Sequence, residues 1–170
     1  NYKVIAISRS LKKLSKLKSF NSKYKNNLKV FSADVTDLSQ LSSIAKENDS
    51  PDLLVLNAGI YEPVSIKNFS LKTFIKQSEV NYLGVIKSFD AFIKKMILSR
   101  SGTVLIMSSI AGWIGLPKAS AYAPTKSALR LFAQSIRYDL AEYNIVVKLC
   151  SPGFVNTKAV KVNDFKMPGL

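Results

Sequence analysis

Short apolar runs alternate with longer amphipathic segments along the chain, and this alternation restricts its fold more than any other feature. Five runs rich in Val, Ile and Leu predict buried strands, at Tyr2–Ser8, Lys29–Ala33, Leu53–Leu56, Thr103–Met107 and Ile145–Leu149. The segments between them predict helices at Ser10–Lys18, Asp37–Glu47 (with Asp37 as the N-cap), Leu71–Leu98 and 121–143. Such alternation predicts an α/β fold with a doubly wound parallel sheet.

Composition excludes several classes of protein. The 170 residues are 47% hydrophobic, which is enough for the core of one ordinary domain. With Cys150 as the single cysteine and no histidine, a disulfide scaffold, a His-based metal site and a Ser-His-Asp triad are excluded, and we expect no metal. No apolar run approaches the ~20 residues of a membrane span, and no secretion signal stands out, so we expect a cytoplasmic protein without a membrane partner.

The basic excess is concentrated near the start of the chain. The net charge is +14, yet residues 1–33 hold nine Lys or Arg and no acid, with most of them in Lys12–Lys29. Clustered lysines can bind nucleic acid by releasing counterions from phosphates. The segment carries few aromatic residues and no nucleic-acid motif, so we interpret it as a solvated face and expect no nucleic-acid partner.

Polar residues follow the predicted strands, where ligands of such sheets bind. The fourth strand ends in Ser108-Ser109, and Tyr122 and Lys126 follow at a spacing that places both on one helix face, with Pro124 in the first turn. A chain this rich in Tyr and Lys should hold about one such pair by chance, so a surface pair is the alternative reading. The other motifs of the sequence decide whether Tyr122 and Lys126 are a functional pair or a surface pair.

Taken together, the motifs resemble the short-chain dehydrogenase/reductase family, from about residue 2 to residue 158. The matching elements occur in family order: Asp34-Val35, Asn57-Ala58-Gly59, Asn81-x-x-Gly84, Ser109-x-x-Gly112, Tyr122-x-x-x-Lys126 and Ser151-Pro152-Gly153-Phe154-Val155-Asn156-Thr157. The resemblance implies a Rossmann-like fold and hydride transfer between a nicotinamide cofactor and a carbonyl or alcohol.

The resemblance also assigns the catalytic roles. Tyr122 would be the general acid/base, Ser109 (with Ser108 as its rival) would hold the substrate oxygen, and Asn81 would hold a water of the proton relay. Lys126 would bind the nicotinamide ribose. Because tyrosine has a pKa of about 10, we expect the ammonium of Lys126 to lower the pKa of Tyr122 towards neutrality.

The cofactor residues are assigned in the same way, and the first strand indicates which cofactor. The resemblance places Asp34, Val35, Asn57, Ala58, Gly59, Tyr122, Lys126, Pro152, Gly153, Val155 and Thr157 at the dinucleotide. NAD enzymes of this architecture tend to place an acid at the end of the strand that here ends in Ser8-Arg9. An arginine there would attract a 2′-phosphate, so Ser8 and Arg9 favour NADP(H) over NAD(H).

One diagnostic element of the family is missing from these residues. No glycine precedes Gly59, so the Gly-rich turn that cradles the pyrophosphate is not present. We therefore expect residues 1–170 to form a single dinucleotide-binding domain that is truncated at both ends relative to the family. The absent first strand would be the central one of the sheet, and its two neighbours would lose their shared partner.

The sequence thus predicts an NADP(H)-dependent short-chain dehydrogenase/reductase that acts on a small carbonyl or alcohol and assembles as a homodimer or homotetramer. The intact catalytic set favours this reading. The alternative is a non-catalytic binding or scaffold protein of the same fold, which the missing Gly-rich turn favours.

Overall fold

The computed structural model describes residues 2–20 and 27–156. The strands are β1 (Val4–Ser8), β2 (Leu28–Ser32), β3 (Leu53–Leu56), β4 (Gly102–Met107) and β5 (Ile145–Cys150). The helices are α1 (Leu11–Phe20), α2 (Leu38–Lys46), α3 (Leu71–Ser78), α4 (Gly84–Ser99) and α5 (Ala123–Ala141). All five predicted strands are confirmed, with ends that differ from the prediction by no more than two residues.

The strands form two parallel sheets. β1 pairs with β2 in the register Val4↔Leu28, and the second sheet has the order β3-β4-β5. Parallel strands with helices on their faces confirm the predicted doubly wound α/β class. Among the described residues, β1 and β3 each have an edge without a partner strand, and their apolar side chains, such as Val4 and Leu53, are about half exposed there.

Two apolar clusters hold the elements together. The larger one lies between the β3-β4-β5 sheet and helices α4 and α5, and it includes Met96 and Leu129, both fully buried. The smaller one joins β2, α2 and α4 around Leu41 and Phe92, and Leu54 packs against both clusters. Truncating a fully buried leucine typically costs about 2–5 kcal/mol, so Leu129 alone contributes a large share of the stability.

Local sequence signals account for two of the helix starts. The carboxylate of Asp37 accepts hydrogen bonds from the backbone N–H groups of Ser39 and Gln40, which confirms the predicted N-cap of α2. Pro124 lies in the first turn of α5, as predicted, because no intrahelical hydrogen bond is lost there. No helix in the described part of the chain is both long and apolar enough to cross a membrane.

The predicted long, mostly uninterrupted helix Leu71–Leu98 is confirmed as a continuous helical segment, but it is not α-helical throughout. α3 ends at Ser78, a π-helical turn follows at Glu79–Leu83, and α4 then begins at Gly84. The amide of Gly84 donates to the carbonyl of Glu79, five residues earlier, which is the π-helical pattern. The wider turn contains the buried Asn81, so the irregularity coincides with a predicted site residue.

Candidate active site

Two hydroxyl groups meet where β4 ends and α5 begins. Ser109 follows β4 in extended conformation, and its side chain caps a short 3-10 turn by accepting from the amide of Ala111. Tyr122 immediately precedes α5, and its phenol is hydrogen-bonded to the hydroxyl of Ser109. Burial raises the pKa of Tyr122, and the hydrogen bond to Ser109 opposes that shift. At neutral pH the phenol therefore holds its proton.

Lys126 lies one helical turn after Tyr122 and is 4% exposed. Its Nζ donates to the carbonyl of Met107 at 2.9 Å and lies 5.6 Å from the centroid of the Tyr122 ring. Burial lowers the pKa of Lys126 to about 8. Our expectation that Lys126 lowers the pKa of Tyr122 was wrong for this structure, because burial of the phenol dominates and raises that pKa.

The neighbouring serine, Ser108, has a different position. It is buried, and its hydroxyl donates to the carbonyl of Lys126 at 2.8 Å. Ser108 therefore fixes α5 against the end of β4. Of the two serines, Ser109 is the one that reaches the phenol of Tyr122.

Asn81 holds the segment that follows β3. It is fully buried, and its amide pairs twice with the backbone of Ile60, accepting at 2.7 Å and donating at 2.9 Å. It also donates to the hydroxyl of Thr125 in the first turn of α5. A Cβ atom at Gly59 would lie 3.5 Å from both Asn81 Oδ1 and Lys126 Nζ, so both side chains reach the site. A water-binding role for Asn81 stays a prediction.

A cavity of about 730 Å³ lies between the β1–β2 sheet and β3. Six of the predicted cofactor residues line it: Ser8, Arg9, Val35, Asn57, Ala58 and Gly59. The cations of Arg9 and Lys13 are among its lining groups and give it positive potential. Hydroxyl, amide and cationic groups of this kind fit the ribose and phosphate groups of a dinucleotide.

Arg9 pairs with another predicted cofactor residue, Asp34. The guanidinium lies 3.4 Å from the carboxylate, and the Arg9 side chain is 58% exposed. The pKa of Asp34 is lowered, chiefly by the hydrogen bond from the backbone amide of Thr36 and to a smaller extent by Arg9. The ion pair is therefore weak, and Arg9 can leave Asp34 to bind a phosphate with little loss of free energy.

The predicted nicotinamide segment follows β5. The carbonyl of Pro152 accepts from the amide of Ile110, which holds this segment beside the Ser109 turn. In the part of the chain that the structure describes, no non-neighbouring atom lies within 4 Å of a Cβ atom at Gly153, and Val155 is half exposed. Thr157 lies outside the described residues.

The short chain dehydrogenase family matches residues 1–166 of the chain. The chain belongs to this family. A dehydrogenase/reductase SDR family protein 7-like of Anopheles gambiae is 31% identical over 128 residues, which are 73% of this chain and 40% of that protein. Cyclopentanol dehydrogenase of Comamonas testosteroni is 35% identical over 117 residues, 69% of this chain and 47% of the enzyme.

Solved structures agree with this assignment. The structure of ElxO with NADP bound aligns with a TM-score of 0.86 and 27% identity, covering 94% of this chain and 66% of ElxO. A short-chain dehydrogenase from Streptomyces avermitilis aligns with a TM-score of 0.83 and 25% identity, covering 92% of this chain and 58% of that one. The chain thus spans about half the length of the curated relatives, and the short-chain dehydrogenase fold is shown.

Sequence reasoning missed two residues of this short-chain dehydrogenase site. The ring of Tyr61 packs edge-on against that of Tyr122, with centroids 5.2 Å apart. Gln77 is fully buried and binds the backbone of Glu62. The polar pair Gln77 and Asn81, four residues apart in a predicted helix, was the available signal for Gln77.

Proposed function

We propose that this chain carries the catalytic residues of an NADP(H)-dependent carbonyl reductase or alcohol dehydrogenase. Membership of the short chain dehydrogenase family supports a nicotinamide-dependent oxidoreductase with a small-molecule substrate. The finer proposal depends on one observation, the hydrogen-bonded hydroxyls of Ser109 and Tyr122 beside the buried amine of Lys126.

The two hydroxyls suit a substrate oxygen. A bound nicotinamide supplies or accepts the hydride at the substrate carbon. In the reductive direction, the carbonyl oxygen gains an electron pair, and Tyr122 donates its proton to that oxygen. Ser109 donates a hydrogen bond to the same oxygen and stabilises the developing charge. The raised pKa of Tyr122 supports this direction, because the phenol starts in its protonated form.

Lys126 and Asn81 support the return of the proton. An amine with a pKa of about 8 exchanges protons readily near neutral pH, whereas an ordinary lysine does not. Its Nζ and the Asn81 amide both reach the space beside Gly59, at the cavity wall. We assign these two residues to the path that restores the proton of Tyr122.

The charge of the cavity supports NADP(H) as the cofactor. Ser8 and Arg9 stand where an acid would repel a 2′-phosphate, and both line the cavity together with Lys13. ElxO, which aligns closely, was solved with NADP. The Gly-rich cradle for the pyrophosphate is not among these residues, so we assign only the adenosine end and the nicotinamide end.

The homodimer or homotetramer and the cytoplasmic location remain proposals. Phe92 of α4 is buried in the core, and Phe89 of α4 packs edge-on against Phe132 of α5. Two residues of α5, Leu131 and Tyr138, are 54% and 69% exposed. The outer face of α5 is therefore the candidate surface for subunit contacts.

Replacement of Tyr122 tests the proposed function. We expect Tyr122→Phe in the full-length protein to lower NADPH consumption with a panel of aldehydes and ketones by about 10²–10⁴-fold, while NADPH affinity stays within about threefold. Tyr138→Phe, at an exposed tyrosine of α5, is the control and should keep full activity. Turnover retained in Tyr122→Phe would refute the assignment. NADPH binding without turnover by the unmodified protein would favour the non-catalytic scaffold instead.

A further inference from the structure

The segment Gly59–Val64, here called the strap, follows β3 and contacts Tyr122 of the site through Tyr61. We propose that Tyr61 of the strap forms an aromatic wall of the substrate pocket that restricts substrate size, and that Gln77 is a positioning residue for this wall. The inference rests on the proposed function, since it concerns the substrate of the same site.

Two buried side-chain amides hold the backbone of the strap at alternate residues. Asn81 pairs with the N–H and the C=O of Ile60, as described above. Gln77 repeats this arrangement at Glu62, donating to its carbonyl at 2.9 Å and accepting from its amide at 3.4 Å. Both amides are 0% exposed, so each would be left without water if its backbone partner moved away. The strap is therefore fixed from this side.

The far end of the strap is held by the loop that precedes Tyr122. The amide of Val64 donates to the carbonyl of Lys118 at 2.9 Å, and Val64 forms a bridge with Ala119, three residues before Tyr122. Val64 is 4% exposed. The strap thus connects α3, which contains Gln77, to the loop that precedes Tyr122.

Tyr61 lies between the two residues that the amides hold. Its ring contacts the ring of Tyr122 at an interplanar angle of 73°, the edge-to-face arrangement that aromatic pairs prefer. A substrate oxygen must reach the phenol of Tyr122 and the hydroxyl of Ser109, so the rest of the substrate has to pass beside the Tyr61 ring. Because Ile60 and Glu62 are both held, the backbone that carries the ring cannot move away without breaking buried hydrogen bonds. A fixed aromatic wall selects small or flat carbonyl substrates over bulky ones.

Substitution of Tyr61 tests the wall. The measured quantity is the ratio of kcat/KM for a bulky ketone, such as a diaryl ketone, to that for a small aliphatic aldehyde, with NADPH and the full-length protein. We expect Tyr61→Ala to raise this ratio at least about 10-fold, in the range that pocket volume changes produce. Tyr61→Phe keeps the ring and should keep the ratio of the unmodified enzyme. An unchanged ratio in Tyr61→Ala would overturn the inference while leaving the proposed function intact.

Gln77 is tested through its dependence on Tyr61. Gln77→Met keeps the length of the side chain but loses both hydrogen bonds to Glu62, so the ratio should rise severalfold. In the Tyr61→Ala background the same substitution should leave the ratio unchanged, because there is no wall left to position. Equal effects in both backgrounds would show a merely structural role. Asn48→Met is the control, since Asn48 is a buried amide that bonds Ile44 at the end of α2, and it should not change the ratio.

A second measurement keeps the test independent of turnover and of the folding of Gln77→Met. Trp113 is the single tryptophan of the sequence, and its indole donates to Ser151, next to the predicted nicotinamide segment. The affinities for the same two carbonyls can be measured through the quenching of Trp113 fluorescence. Tyr61→Ala should shift the ratio of these affinities towards the bulky ketone. If the unmodified enzyme reduces no carbonyl, the proposed function fails; if it reduces them and Tyr61→Ala changes neither ratio, only the wall fails.

Discussion

The Nζ of Lys126 donates to the carbonyl of Met107, so a buried amine on α5 is tied to the last residue of β4. Burial lowers the pKa of Lys126 from 10.5 to about 8. The folded protein therefore releases this proton at a lower pH than the unfolded chain does. It follows that the free energy of unfolding rises as the pH goes from about 8 to about 10.5, by about 3 kcal/mol from this group.

Lys126→Met removes this dependence and keeps the volume of the side chain. Urea unfolding from about pH 7 to about pH 10 should give a free energy that rises about 2 kcal/mol more in the unmodified protein than in the variant. Comparing the two proteins cancels the contributions of the other lysines and tyrosines. Parallel curves for the two proteins would contradict the prediction.

Gly112 is required where the Ser109 turn crosses α5. A Cβ atom there would lie 2.8 Å from the backbone carbon and oxygen of Lys126 and 2.9 Å from the hydroxyl of Ser108. Backbone atoms of a helix cannot give way cheaply, so Gly112→Ala should destabilise the protein by about 1–3 kcal/mol in urea unfolding. It should also lower activity, because it displaces Lys126 from the site.

Gly115→Ala is the matched control for Gly112→Ala. Among the described residues, no non-neighbouring atom lies within 4 Å of a Cβ atom at Gly115, so the stability of this variant should change by less than about 0.5 kcal/mol. Similar losses in the two variants would show that the steric argument is wrong.

Local patterns predicted the elements of this fold well, because each pattern reflects the burial of one strand or helix face. The apolar run at Leu53–Leu56 predicted β3 to the residue, and Asp37 predicted the start of α2. The spacing of Tyr122 and Lys126 predicted a shared helix face, and the structure has both residues at one site. These features depend on neighbours in sequence.

Tertiary contacts explain what the sequence could not show. The π-helical turn at Glu79–Leu83 exists in a segment whose period reads as an ordinary helix, and its Asn81 bonds Ile60, 21 residues away. The contact between Tyr61 and Tyr122 joins two loops that no local pattern connects. The direction of the Tyr122 pKa depends on how deeply the phenol is buried, which spacing alone does not give.

Gly84 allows the start of α4 to approach Val35. A Cβ atom at Gly84 would lie 2.8 Å from a methyl group of Val35, which lines the cavity. Gly84→Ala should therefore cost about 1–3 kcal/mol in urea unfolding. Val35→Ala removes the clashing methyl groups, so the double variant should be more stable than the sum of the two single changes predicts. If the stability losses of the two single variants simply add in the double variant, the contact between Gly84 and Val35 is not the source of the strain.

We expect Arg9 to discriminate between NADPH and NADH. If it binds the 2′-phosphate, Arg9→Ala should lower kcat/KM for NADPH about 10-fold or more and leave that for NADH within about twofold, because only NADPH carries the phosphate. Stability should change by less than about 0.5 kcal/mol, since the ion pair with Asp34 is exposed. Lys12→Ala, in the same basic segment but outside the cavity lining, should change neither cofactor value. Equal losses for NADPH and NADH in Arg9→Ala would mean that Arg9 contributes general charge and does not select the phosphate.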